Sequence, residues 1–218
     1  MNSEQTQSGS TVSNLRLIRK VGFWSAILTT VFYLIFDIAA ILIMLNIITS
    51  KYWISISSYL PSLFLALTFV VLMTSLHHFM PQDKRFWTQL ALAFAIVYAT
   101  INCSIYVIQI LVIAPSYLSG KFDAVSVFEM APDKPLWAVN ALAYTIMSIS
   151  TFFASFAIKG RGINAWTRIM LRIHGIVAPT IVGVLIWPPL FYISATVGFT
   201  YPVAAILLAM LFSKKAIE

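Results

Sequence analysis

Long apolar runs, separated by short and mostly basic connectors, constrain this chain more than any other feature. A helix needs about 18–20 apolar residues to cross a hydrocarbon core of ~30 Å at ~1.5 Å per residue. Six stretches meet or approach that length, at residues 22–46, 59–80, 86–114, 136–158, 169–187 and 191–212. The last two are separated only by Trp187-Pro188-Pro189. Two prolines remove backbone donors and bias the preceding residue away from the helix, so a hairpin is expected there and not one very long helix. The chain is 60% hydrophobic and 10% charged, with a mean hydropathy of +0.90. A soluble domain carries about 25% charged residues.

The fold expected is therefore an all-α membrane protein, a single bundle of six transmembrane helices with both termini in the cytoplasm. Residues 1–20 read as a polar cytoplasmic tail without fixed structure, 21–213 as the membrane domain and 214–218 as a short cytoplasmic tail. The apolar stretch after the tail is too long for a signal-peptide core and lacks a small-residue cleavage site, so it reads as a retained span. Orientation follows from the basic residues, which stay on the cytoplasmic side. Arg16, Arg19, Lys20, Lys84, Arg85, Lys159, Arg161, Arg168, Arg172, Lys214 and Lys215 fall on one side, against Lys51, Lys121 and Lys134 on the other. All six tryptophans fall at span ends, where the ring is buried and its N–H stays wet. The pattern suits a small multi-pass protein of a bacterial cytoplasmic membrane.

Several function classes are excluded. The net charge of +7 lies beside the spans and not on one contiguous basic face, so no nucleic-acid partner is expected. One cysteine, Cys103, rules out an intramolecular disulfide and a paired-thiol redox site. There is no phosphate-binding glycine loop, no nucleophile elbow and no lysine well inside a span. His77 and His78 point ~100° apart on a helix, and no carboxylate completes a ligand set, so no metal or other cofactor is expected. His174 reads as a residue near the start of the fifth span, toward the cytoplasmic end.

Asp37 is the only carboxylate well inside a span. Its distance from Gly22 places it ~22 Å into the membrane, in the outer half. A carboxylate there must be protonated, paired or turned to a polar cavity. Thr29, Thr30 and Tyr33 share its region of the helix. Two further polar stripes follow helical spacing, Tyr98, Asn102, Tyr106 and Gln109 on the third span, and Asn140, Tyr144, Ser148 and Thr151 on the fourth. Counted from the outer ends, Asp37, Asn102 and Tyr144 fall at one depth, ~12–14 Å below the boundary. Ala91, Ala95 and Ala99 suit close helix packing. The segment 115–135 is the one long outer connector; an amphipathic connector is the simpler reading, and a surface helix through Leu118, Phe122, Val125 and Phe128 the other.

Three functions fit these residues. One is binding or transport of a small cationic or amphipathic ligand in an outward-opening cavity lined by Tyr33, Asp37, Tyr98, Asn102, Tyr106, Asn140 and Tyr144. Another is a non-catalytic accessory subunit bound to a membrane-protein partner, its polar stripes serving only to pack helices. The third is a membrane-embedded enzyme for a lipid-soluble substrate, with Asp37 as general acid; its second acid would have to be Glu129, folded inward from the outer connector. Membrane lipids are partners under all three.

Overall fold

In a computed structural model, which describes the backbone of residues 2–213 and the side chains of residues 14–213, the described chain is helical throughout and contains no strand. Lipid offers backbone groups no hydrogen-bond partner, so apolar segments of this length close their bonds internally as helices. Hydroxyls inside them do the same: Thr29 donates to the Ser25 carbonyl at 2.6 Å and Thr30 to that of Ala26 at 2.9 Å.

The elements are α1 (Asn2–Met44), α2 (Lys51–Phe79), α3 (Arg85–Ile108), α4 (Ala114–Ser119), α5 (Pro135–Ala157), α6 (Ile163–Ile176), α7 (Ala178–Gly183), α8 (Phe191–Ser194) and α9 (Val197–Ser213). One π-helical turn, Gln109–Ile113, joins α3 to α4. Among the described residues five segments are long and apolar enough to cross a bilayer: Asn14–Met44, Lys51–Phe79, Gln82–Ser119, Pro135–Ala157 and Pro188–Ser213. This is the architecture of an integral membrane protein.

Three differences from the sequence reading have local causes. The α1 backbone is helical from Asn2, because a helix already nucleated by its apolar part extends at little cost into residues with no proline to stop it. The stretch 169–187 is not one continuous helix: α6 starts earlier, at Ile163, and gives way to the short α7 at Ala178-Pro179. The Trp187-Pro188-Pro189 break is present, with Trp187 extended and a 3₁₀ turn at Pro188–Leu190, but the helix resumes in two pieces, α8 and α9. The connector after α4 ends its helix at Gly120 (φ 68°) and continues through two 3₁₀ turns, Phe122–Ala124 and Ser126–Phe128.

The elements form a closed ring in which α1 packs on α2, α2 on α3, α3 on α5, α5 on α6, α6 on α9 and α9 back on α1. Neighbours run antiparallel. Gly22 meets Phe212 and Asp37 meets Gly198 across α1 and α9, while Gly175 meets Phe152 across α6 and α5. Ala91 and Ala95 of α3 are buried, and the Ser150 hydroxyl of α5 reaches the Ala91 carbonyl at 2.6 Å.

Two ends of the bundle result. At the basic end Arg19 donates to the carbonyls of Phe212 and Ser213, Arg168 to that of Ile158, and Lys84 lies beside Lys159. Hydrogen bonding and charge from Lys84 hold the Lys159 amine below its ordinary value. The opposite, loop end carries residues 45–50, 120–134 and 184–196.

Candidate functional site

Asp37 lies seven residues before the end of α1, ~10 Å below the loop end. Its carboxyl is half-buried and turns toward α9, where a Cβ built on Gly198 would sit 3.7 and 3.8 Å from the two oxygens. The ion pairs among the described residues are Lys51–Glu129, Asp83–Lys84 and Asp133–Lys134, and Asp37 takes part in none of them. No hydrogen bond satisfies its carboxyl among those residues.

That carboxyl faces a cavity of about 570 Å³ between α1, α5 and the segment 181–198. The volume is within the ~300–1,000 Å³ typical of small-molecule sites. Tyr33 and Tyr144 line it beside Asp37, with Phe36, Ile181 and Val197 as apolar walls. Ile41, Met44 and Phe191 stand at its exposed side, each more than half exposed. Local sequence explains why this corner is open. Pro202 in α9 has no N–H to give the Gly198 carbonyl, Gly198 has no side chain to fill the space, and α8 and α9 are separate short pieces.

The remaining residues of the two stripes are assembled next door, in a different state. Tyr106 is the hub: its hydroxyl is 3.0 Å from Asn102 Nδ2, 3.3 Å from Asn140 Oδ1 and 3.1 Å from the Tyr144 hydroxyl. A hydroxyl has one proton and two lone pairs, so it satisfies all three by donating to Asn140 and accepting from Asn102 and Tyr144. The Tyr59 ring stacks on Tyr106 at 5.8 Å, and Tyr98 packs against Tyr144 at 5.8 Å. Tyr98, Asn102 and Tyr106 are buried. Thus Tyr33, Asp37 and Tyr144 line the cavity, whereas Tyr98, Asn102, Tyr106 and Asn140 stand behind it, and Tyr144 belongs to both groups.

Gln109 and Glu129 serve the connector. Gln109 Nε2 donates to the Phe128 carbonyl at 2.6 Å and its Oε1 accepts from the Met130 amide at 3.1 Å. Glu129 accepts from the Tyr117 hydroxyl at 2.7 Å and pairs with Lys51 at 3.5 Å. It does not line the Asp37 cavity.

Sequence reasoning placed His174 near one end; it is instead fully buried on the fourth turn of α6, ~16 Å from that helix's start and so near mid-depth. Its Nδ1 is 2.8 Å from the Thr151 hydroxyl, which itself donates to the Ser148 carbonyl at 2.8 Å. The imidazole therefore donates from Nδ1, leaving a lone pair on Nε2, which has no partner. Tyr98 and Tyr201 hydroxyls, the Ser148 and Thr200 hydroxyls and Asn102 Oδ1 are likewise buried without a partner. The signal that could have found His174 is the helical amphipathicity of 163–168, which moves the helix start toward the basic loop and His174 inward.

With this geometry in hand, comparison gives no relative: no protein-family model, no curated protein and no solved structure matches the chain. The reading of the site rests on its own chemistry.

Proposed function

We propose that the protein is a six-span membrane protein that binds, and moves across the bilayer, a small organic cation or cationic amphiphile at the Asp37 cavity. The observation that carries this is a carboxyl without a counter-ion, facing about 570 Å³ of space beside Tyr33, Phe36 and Tyr144. Aromatic faces attract cations, and a single acid in a low-dielectric wall rewards a charge of opposite sign far more than it would in water. Phosphates and other anions are disfavoured by the same carboxyl.

In this reading α6 and α7 together form the fifth span. The basic end is cytoplasmic because it collects most of the lysines and arginines, and the Asp37 cavity then opens near the outer face. Tyr98, Asn102, Tyr106 and Asn140 support the cavity by fixing Tyr144. An enzymatic role lacks a second acid at this cavity, since Glu129 is engaged by Tyr117 and Lys51.

Binding of tetraphenylphosphonium to the protein in nanodiscs tests the site. Saturable binding is expected for the native chain and for the surface variant Asp123→Asn, and is lost in Asp37→Asn. Equal binding by Asp37→Asn would sink the proposal. Cysteine labelling in intact cells tests the topology, with positions 51 and 134 accessible from outside and 84 and 161 only after permeabilisation.

A further inference from the structure

Besides the Asp37 carboxyl, the interior of the bundle holds a buried imidazole, His174, and the cavity does not contain it. His174 is wholly buried, its Nδ1–H is committed to Thr151, and its Nε2 lone pair is free. An ionisable side chain at mid-depth in a membrane protein is costly and is usually kept for moving a proton or an ion. The groups shown against it from the packed elements are Tyr201 on α9 and Thr151 on α5; Arg172, two residues away on its own helix, reaches Ser155 at 3.3 Å. No carboxylate sits beside the ring.

The surroundings of His174 lead to the Asp37 cavity by two routes. The His174 ring is 5.2 Å from that of Tyr201, and the Tyr201 ring is 5.1 Å from that of Tyr33, which lines the cavity. Phe69 bridges Tyr201 (5.9 Å) to Tyr98 (5.6 Å), and Tyr98 packs on Tyr144, the other tyrosine of the cavity. The Tyr201 hydroxyl, where the two routes part, is buried without a hydrogen-bond partner among the described residues. Buried polar groups of this kind are characteristically bridged by internal water, which conducts protons by passing hydrogen bonds along the chain.

We propose that His174 is a second proton-binding site, in exchange with the Asp37 cavity through the Tyr201–Tyr33 contact and water held by the unpaired hydroxyls. When a cation enters, the Asp37 O–H bond breaks and the carboxylate formed pairs with the ligand. The proton forms a new N–H bond on His174 Nε2, making the imidazolium, while the other ring proton stays on Nδ1, hydrogen-bonded to the Thr151 hydroxyl. Charge and atoms balance, and departure of the cation reverses the step. The exchange rests on the reading of Asp37 as a cation site; the proton site at His174 does not.

Solid-state NMR of ¹⁵N-histidine-labelled protein in lipid bilayers tests both parts. In the ligand-free protein the His174 signals are expected to be those of a neutral ring protonated on Nδ1, and acidification is expected to protonate Nε2. An Nε2 that stays bare through the acid range in which the protein remains folded overturns the proton site. At fixed neutral pH, saturating tetraphenylphosphonium is expected to raise the protonated fraction of Nε2 in the native chain and to leave it unchanged in Asp37→Asn. Bound cation with an unaltered His174 spectrum overturns the exchange while leaving the cavity reading standing. Failure of the native chain to bind the cation removes the cavity reading and the exchange together, and the acid titration still decides the proton site. Tyr201→Phe keeps both ring contacts and removes only the hydroxyl, so it is expected to slow the His174 response about tenfold or more. A response at the native rate would overturn the route through Tyr201.

Discussion

The Tyr106 knot and the Asp37 cavity adjoin through Tyr144, yet they treat polar atoms in opposite ways. In the knot one helical turn each of α3 and α5 brings Asn102, Tyr106, Asn140 and Tyr144 together so that the central hydroxyl is saturated. In the cavity a carboxyl is left without a donor or a cation, against glycine and the broken start of α9. A polar residue inside a membrane bundle can be the code that aligns two helices or the chemistry of a site, and residue type does not separate the two. Satisfaction does: the knot has spent its hydrogen bonds on packing, and the cavity has kept its carboxyl for something else.

The comparison is most exposed at Asp37. Asp37→Asn is expected to weaken tetraphenylphosphonium binding about a hundredfold, ~2.7 kcal/mol, with thermal unfolding in detergent little changed. Equilibrium binding beside a thermal melt reads both, and a matching fall in stability would place Asp37 with the packing residues.

Tyr106→Phe should behave in the reverse sense. It strips the knot of its hub and leaves Asn102 and Asn140 short of a partner, for a loss of about 1–2 kcal/mol in stability. Cation affinity should stay within about twofold, because Tyr106 does not line the cavity. A large loss of affinity with unaltered stability would erase the distinction between the two regions.

Tyr144 stands in both, so Tyr144→Phe sharpens the boundary. One hydrogen bond to Tyr106 is lost, costing about 1 kcal/mol, while the ring remains for the cation and affinity falls only a few-fold. The smallest effect is expected at Gly198→Ala. The new methyl would meet the Asp37 oxygens at 3.7 and 3.8 Å, ordinary contact distances, so affinity should drop about twofold as the space narrows. Stability should rise by a few tenths of a kcal/mol as a helical glycine is replaced. Opposite signs for the two readouts would be the signature of a position left small for a ligand.

Much of the architecture could be read from the chain. Lipid-length apolar runs must become helices, and a period of 3.6 residues fixes which side chains share a face, so the α3 and α5 stripes follow from counting, whereas the Tyr106 hydroxyl that links Asn102 to Tyr144 does not. The connector was legible as the one long outer segment, but its start was not: the span expected to end at residue 114 runs on through Pro115 in α4 to Ser119, because proline is tolerated in the first turn of a helix. Counting failed where partners set the boundaries. Arg168 and Arg172 looked like the edge of a span, but Arg168 bonds the Ile158 carbonyl and Arg172 the Ser155 hydroxyl of α5. Their charges are thereby accommodated against the neighbouring helix, α6 starts at Ile163, and His174 is carried to mid-depth.

Sequence alone determined that this is a helical membrane protein with one acid inside a span, because hydrophobic length and periodicity are local properties that the solvent reads directly. Tertiary structure decided which polar groups are spent and which are free. The partners of Tyr106 come from α5, thirty-four and thirty-eight residues away, and the wall that Asp37 faces comes from α9 at the far end of the chain. A hydrogen bond forms only where donor and acceptor arrive within about 3 Å in the right direction, and no spacing along one helix specifies what a distant helix will bring to meet it.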